Sequence, residues 1–83
     1  MKVTVRYFAS IREACGKGSE SVDTAAVTVA ALRDELVARG GGYAQALARG
    51  KSVRASLDQV MSDEFAPLHD GCEVGFFPPV TGG

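Results

Sequence analysis

"KVTVRYF" (2–8) sets Val3, Val5 and Tyr7 in alternation with Lys2, Thr4 and Arg6, the period-two pattern of a strand with one buried face and one wet face. Everything else in the 83-residue chain can be placed around that strand. "ASIREACGKGS" (9–19) offers a helical turn and two glycines, and the short extended "ESVD" (20–23) predicts a hairpin-like return. Thr28 is a suitable N-cap, Val29, Leu32 and Leu36 recur at helical spacing, and "GGG" (40–42) supplies a stop, so one amphipathic helix is predicted from about Val29 to Arg39. "YAQALARG" (43–50) predicts a second, two-turn helix with Tyr43, Ala46 and Leu47 on one face.

In the second half, "SVRASLD" (52–58) alternates Val53, Ala55 and Leu57 against Arg54, Ser56 and Asp58, and "QVM" (59–61) reads as a brief strand pairing with it. Asp58-Gln59 is a weaker turn signal than the Asn-Gly type. "HDG" (69–71) marks a turn before a last strand, "CEVGFF" (72–77), beyond which Pro78 and Pro79 forbid continued pairing. Strands flanking one long helix define an α+β domain with that helix packed across one sheet face. The whole chain, 1–83, fits one such domain, with 78–83 as its tail.

Composition narrows the functional classes. Nine basic and ten acidic residues leave a formal net charge of −1, with no basic run to neutralise a phosphate backbone, so nucleic acid is not an expected partner. No segment has the roughly 20 apolar residues of a membrane span, and the start lacks the apolar run of a signal peptide, so a cytoplasmic protein is expected. Cys15 and Cys72 are too few for a zinc or iron-sulfur site and read as buried apolar fillers; no metal is expected. His69 beside Asp70 reads as a solvated turn residue, and no nucleophile-base pair is suggested by spacing. "GKGS" (16–19) lacks phosphate-loop spacing and reads as a turn. Arg33, Asp34 and Glu35 read as the solvated face of the long helix.

Two features are left over. If Val3, Val5 and Tyr7 face the helix, Phe8 points to the other side, and in the last strand Phe77 cannot share a face with Val74 and Phe76. Met61 is a third candidate for the same outer surface. A chain this short has little left to cover a second sheet face, so Phe8, Met61 and Phe77 are expected to form a partner-binding patch. The second feature is the tail itself, "PPVTGG" (78–83). Two glycines contribute no packing and carry the largest ordering entropy, so they do not serve the fold. Pro78 and Pro79 hold the exit stiff and extended, after which Val80, Thr81, Gly82 and Gly83 form a thread thin enough for a narrow pocket in another protein. The reactive atom would then be the carboxyl carbon of Gly83, on a tail that is flexible when free.

Across "VRYFASIRE" (5–13), "TVAALRDEL" (28–36) and above all "FFPPVTGG" (76–83), the chain resembles the family of small, sulfur-carrying subunits of molybdopterin synthase. The resemblance implies a ubiquitin-like β-grasp fold and a non-catalytic, sulfur-donating subunit of a sulfurtransferase complex. It implies that Gly83 is adenylated by an E1-like enzyme using ATP and magnesium, then converted to a thiocarboxylate by a sulfur donor protein. The thread of Pro78, Pro79, Val80, Thr81, Gly82 and Gly83 would enter the large subunit and deliver sulfur to cyclic pyranopterin monophosphate for the dithiolene. A heterotetramer is implied, with no cofactor bound by the small subunit. Three alternatives stand beside it: a sulfur carrier for thiazole or a sulfur amino acid, a ubiquitin-like modifier forming isopeptide bonds through Gly83, and an interaction module with an incidental Gly-Gly.

Overall fold

The computed structural model describes residues 1–79. Its elements are β1 (Lys2–Tyr7), α1 (Ala9–Cys15), β2 (Ser19–Asp23), α2 (Val29–Val37), α3 (Gly41–Leu47), β3 (Arg54–Leu57), β4 (Val60–Ser62) and β5 (Glu73–Phe77). They build one five-stranded sheet in the order β2-β1-β5-β3-β4. The two terminal strands, β1 and β5, run parallel at its centre, and every other pairing is antiparallel. This is the mixed sheet of an α+β domain, and its order makes the last strand an interior one.

Alternation in β1 is realised residue by residue: Val3, Val5 and Tyr7 are buried while Lys2, Thr4 and Arg6 are exposed. The buried side meets Val22, Ala55, Val74 and Phe76 from the other strands, and Ile11, Leu32, Leu36 and Leu47 from the helices. Apolar burial at roughly 25 cal/mol per Å² makes this single layer between sheet and helices the main stabilising element. The Thr28 hydroxyl caps α2 by accepting from the Ala31 N–H at 3.1 Å, which satisfies one of the orphan donors of the first turn. Cys72 is fully buried and Cys15 half-buried, as expected of apolar fillers.

Four details depart from the sequence expectations. The turn after β1 is a seven-residue helix, α1, entered through Ala9 at φ 51°. The long helix stops at Val37, two residues short of Arg39. Of the three glycines expected to end it, only Gly40 lies in the link, whereas Gly41 and Gly42 open α3. They do so because α3 lies against the end of α1, where a Cβ on Gly42 would collide with the Ala14 carbonyl oxygen.

The fourth departure is Arg33. It is 6% exposed instead of lying on the solvated face with the exposed Asp34 and Glu35. Its Nε donates to the Leu47 carbonyl at 2.6 Å, and one Nη donates to the carbonyls of Ala48 and Lys51 at 2.7 and 2.9 Å. The guanidinium therefore closes the C-terminal end of α3, whose last carbonyls have no partner within the helix.

Candidate functional site

The site lies on the sheet face away from the helices, where β5 hands over to the tail. Register decides which side chains meet there. Gly75 lies opposite Arg6 on β1 and Ser56 on β3, and Ser56 lies opposite Met61 on β4, so one transverse row reads Arg6, Gly75, Ser56, Met61. Phe77 lies opposite Arg54, and Phe8 follows β1 in extended conformation, its N–H donating to the Phe76 carbonyl at 3.1 Å. The strand pleat then turns Phe8 and Phe77 to the same side as that row.

Phe8 and Phe77 meet edge to face, with ring centroids 5.8 Å apart and an interplanar angle of 83°, a geometry worth about 0.5–1.5 kcal/mol beyond the area it buries. Gly75 makes room for them. A Cβ there would stand 2.6 Å from Ser56 Oγ and 3.2 Å from the Phe8 ring. The Arg6 guanidinium sits over the Phe8 ring, 5.8 Å from its centroid. Around these rings runs an open groove of about 530 Å³ lined by Arg6, Phe8, Ser56, Gln59, Met61, Glu73 and Phe77. A second hollow of about 210 Å³, bordered by Arg54, Met61, Phe77 and Pro78, adjoins it at the root of the tail.

The structure thus brings together four of the residues expected to bind a partner: Phe8, Met61, Phe77 and Pro78. Phe8 is 41% and Met61 50% exposed, so both present apolar surface to solvent beside the root of the tail. Pro79 follows, half-buried. Val80, Thr81, Gly82 and Gly83, including both glycines expected to carry the chemistry and the expected flexible tail, lie outside the described residues.

Sequence reasoning missed the polar frame of the patch, Arg6, Arg54, Ser56 and Glu73. The signal was present, since all four occupy the outward parity of their strands. It also missed Phe65, which is 75% exposed in the loop between β4 and β5 and carries no periodic signature there.

Other titratable groups serve the scaffold. Glu20 accepts from the hydroxyls of Tyr7 and Tyr43, each at 2.7 Å, and from Arg39 at 2.9 Å. Burial pushes its carboxyl pKa up, but the three donors outweigh that and hold it below the ordinary value. Burial and the Glu20 carboxylate push the Tyr7 phenol far above its ordinary range. His69 is exposed as expected, yet it is tied by Nε2 to Asp58 at 2.8 Å. That Asp58 bond and the Asp70 carbonyl raise its pKa. Among the described residues no group of three or more His, Cys, Asp or Glu could hold a metal, and no helix is long and apolar enough to cross a membrane.

A mixed sheet of this order, with a helix laid across one face and the C-terminal strand leaving from the centre, is a ubiquitin-like β-grasp domain. Its sequence matches the model of the ThiS family over residues 5–83, and the chain belongs to that family. It is 42% identical over 81 residues to the molybdopterin synthase sulfur carrier subunit of Escherichia coli, covering 98% of this chain and 99% of that one. To the subunit of the same description from Haemophilus influenzae it is 37% identical, with the same coverage. Among solved structures it resembles a chain in a complex of subunits 1 and 2 of molybdopterin-converting factor from Helicobacter pylori. There the TM-score is 0.69 and the identity 27%, with both chains fully covered.

Proposed function

We propose that this protein is the sulfur carrier of a molybdopterin synthase. The observation that carries the reading is its 42% identity, over nearly the full length of both chains, to a carrier of that description. The geometry supports it: an interior strand ends in two prolines beside an exposed aromatic patch, so a partner that grips the patch has the tail within reach.

In this reading Gly83 is the reacting residue and Gly82 keeps its approach free of side chains. A free carboxylate resists nucleophiles because its oxygen is a poor leaving group. An E1-like enzyme transfers AMP from ATP with magnesium, releasing pyrophosphate and leaving Gly83 as an acyl adenylate. Sulfide-level sulfur supplied by a donor protein attacks the acyl carbon, AMP departs, and Gly83 is left as the thiocarboxylate. The tail then enters the large subunit, docked through Phe8, Met61, Phe77, Pro78, Pro79, Val80 and Thr81, and gives its sulfur to cyclic pyranopterin monophosphate. Water hydrolyses the resulting thioester, which leaves the sulfur on the pterin and regenerates the Gly83 carboxylate, and two such deliveries complete one dithiolene. A heterotetramer of two large and two small subunits acting in the cytoplasm is the expected assembly. In this reading the pterin-binding groups belong to the large subunit.

Intact-protein mass spectrometry tests the reading, after incubation with an E1-like adenylating enzyme, ATP and a sulfide source. The expected result is a mass gain of sulfur minus oxygen, mapped to Gly83 by fragmentation and absent from a variant lacking that residue. An unchanged mass with an activating enzyme that thiocarboxylates its own carrier refutes it.

A further inference from the structure

The apolar patch has a cationic border of two arginines, one of which has no carboxylate partner among the described residues. Arg54 lies directly opposite Phe77 and borders the hollow containing Met61, Phe77 and Pro78. It is exposed and has no ion-pair partner among the described residues. Asp63 and Glu64 border a different hollow with it without forming a salt bridge, and Glu64 is engaged by Arg49 at 3.1 Å. On β1, across β5 from Arg54, Arg6 lies over Phe8 and pairs with Glu73 at 3.9 Å. Arg6 on β1 and Arg54 on β3 thus lie on either side of β5, and the one nearer the tail, Arg54, lacks a counter-charge among the described residues.

We infer that the surface receiving this patch presents a carboxylate to Arg54, immediately beside the apolar group that fills the Met61–Phe77–Pro78 hollow. The occupant is the large subunit, so the inference rests on the proposed function. Arg54 would act as a specificity-determining contact: its fork selects a planar carboxylate, and its place next to Pro78 fixes the register in which the tail is threaded. Partly desolvated by the apolar surface around it, the pair is more than a rim charge, and a partner with lysine at that spot is rejected by like-charge repulsion.

The test is a calorimetric titration of this chain into the molybdopterin synthase large subunit of the same organism, at low and at high salt. Arg54→Gln is expected to weaken binding about tenfold at low salt, and Arg54→Glu further. Both differences should shrink as salt screens the contact, while the melting temperature of the free chain stays at the wild-type value. Arg54→Glu binding like wild type, or losing affinity equally at both salt concentrations, overturns the inference and leaves the sulfur-carrier reading intact. Absence of binding by the wild-type chain overturns that reading and the inference with it. Self-association of the wild-type chain that Arg54→Glu abolishes overturns it in favour of a second copy as occupant.

Discussion

Replacing Arg33 with methionine keeps an unbranched side chain of similar length at a buried position and removes the guanidinium that closes α3. The Leu47 carbonyl, bonded at 2.6 Å, belongs to a fully buried residue, and a buried acceptor left unpaired costs about 1–3 kcal/mol. The carbonyls of Ala48 and Lys51 take part in half-buried bonds. Water replaces part of what they lose, so each adds about 0.5–1 kcal/mol. Against this, the charge itself is uncomfortable where it is. Burial first, and the neighbouring Arg49 second, pull the Arg33 pKa below its usual value, so removing the charge recovers part of that loss. The net loss is about 1–4 kcal/mol, centred near 2.5. For a domain of this size that corresponds to a fall in Tm of roughly 10–20 °C. Urea denaturation followed by circular dichroism gives the free energy directly, with an unchanged m-value showing that both states expose the same surface. Arg33→Lys should recover only part of the loss, because an ammonium cannot span the three carbonyls as the planar fork does. A methionine variant within about 0.5 kcal/mol of wild type, the range of an ordinary surface change, would refute the claim that these three bonds hold α3 in place.

Other outcomes follow from single contacts. Gly42→Ala drives a Cβ into the Ala14 carbonyl and should lower stability by about 1–3 kcal/mol, whereas the same change at Gly50, which faces open space, should be nearly silent in the same denaturation assay. Glu20 has a depressed carboxyl pKa in the folded state, so its contribution is complete above the unfolded pKa and drains away as pH falls through the folded one. Glu20→Gln should therefore flatten the acid limb of the stability profile measured by urea titration at stepped pH. For His69 the sign reverses. Its folded pKa is raised above the ordinary 6.5, so its contribution is complete below the unfolded value and is lost as pH rises through the folded one. An NMR titration placing the His69 pKa at or below 6.5 in the wild type would contradict the Asp58 pairing.

The sequence made the sheet legible because strand parity is a local signal: alternation in residues 2–8 and 52–58 assigns each side chain to a face before any partner is known. The same parity exposed the misfit of Phe8 and Phe77, and so the patch. Contacts with no local spacing stayed invisible. Arg33 looked solvated because its immediate neighbours, Asp34 and Glu35, are charged and exposed, while the carbonyls that bury it arrive from residues 14 to 18 positions later. Gly42 read as a helix stop because a triple glycine usually breaks structure, and only its approach to Ala14 shows why a small residue is needed inside α3. A helical turn was legible in residues 9–19, but its extension to the seven residues of α1, entered through Ala9 in a left-handed conformation, was not signalled by residue type alone. Arg54 and Arg6 were assigned to the outer face by parity, but their relation to the aromatic pair depends on register across three strands.

The interior position of β5 has a mechanical consequence. Its backbone is bonded to β1 on one side and β3 on the other, and the tail continues from its end. A partner drawing on the tail pulls along the strand axis and loads both ladders in shear, with the bonds resisting together. A tail attached to the edge strand β4 could be peeled away one bond at a time. In the proposed function the fold would thus supply a rigid anchor for its own handle, so that a partner pulling on the C-terminus would leave the neighbouring patch undistorted.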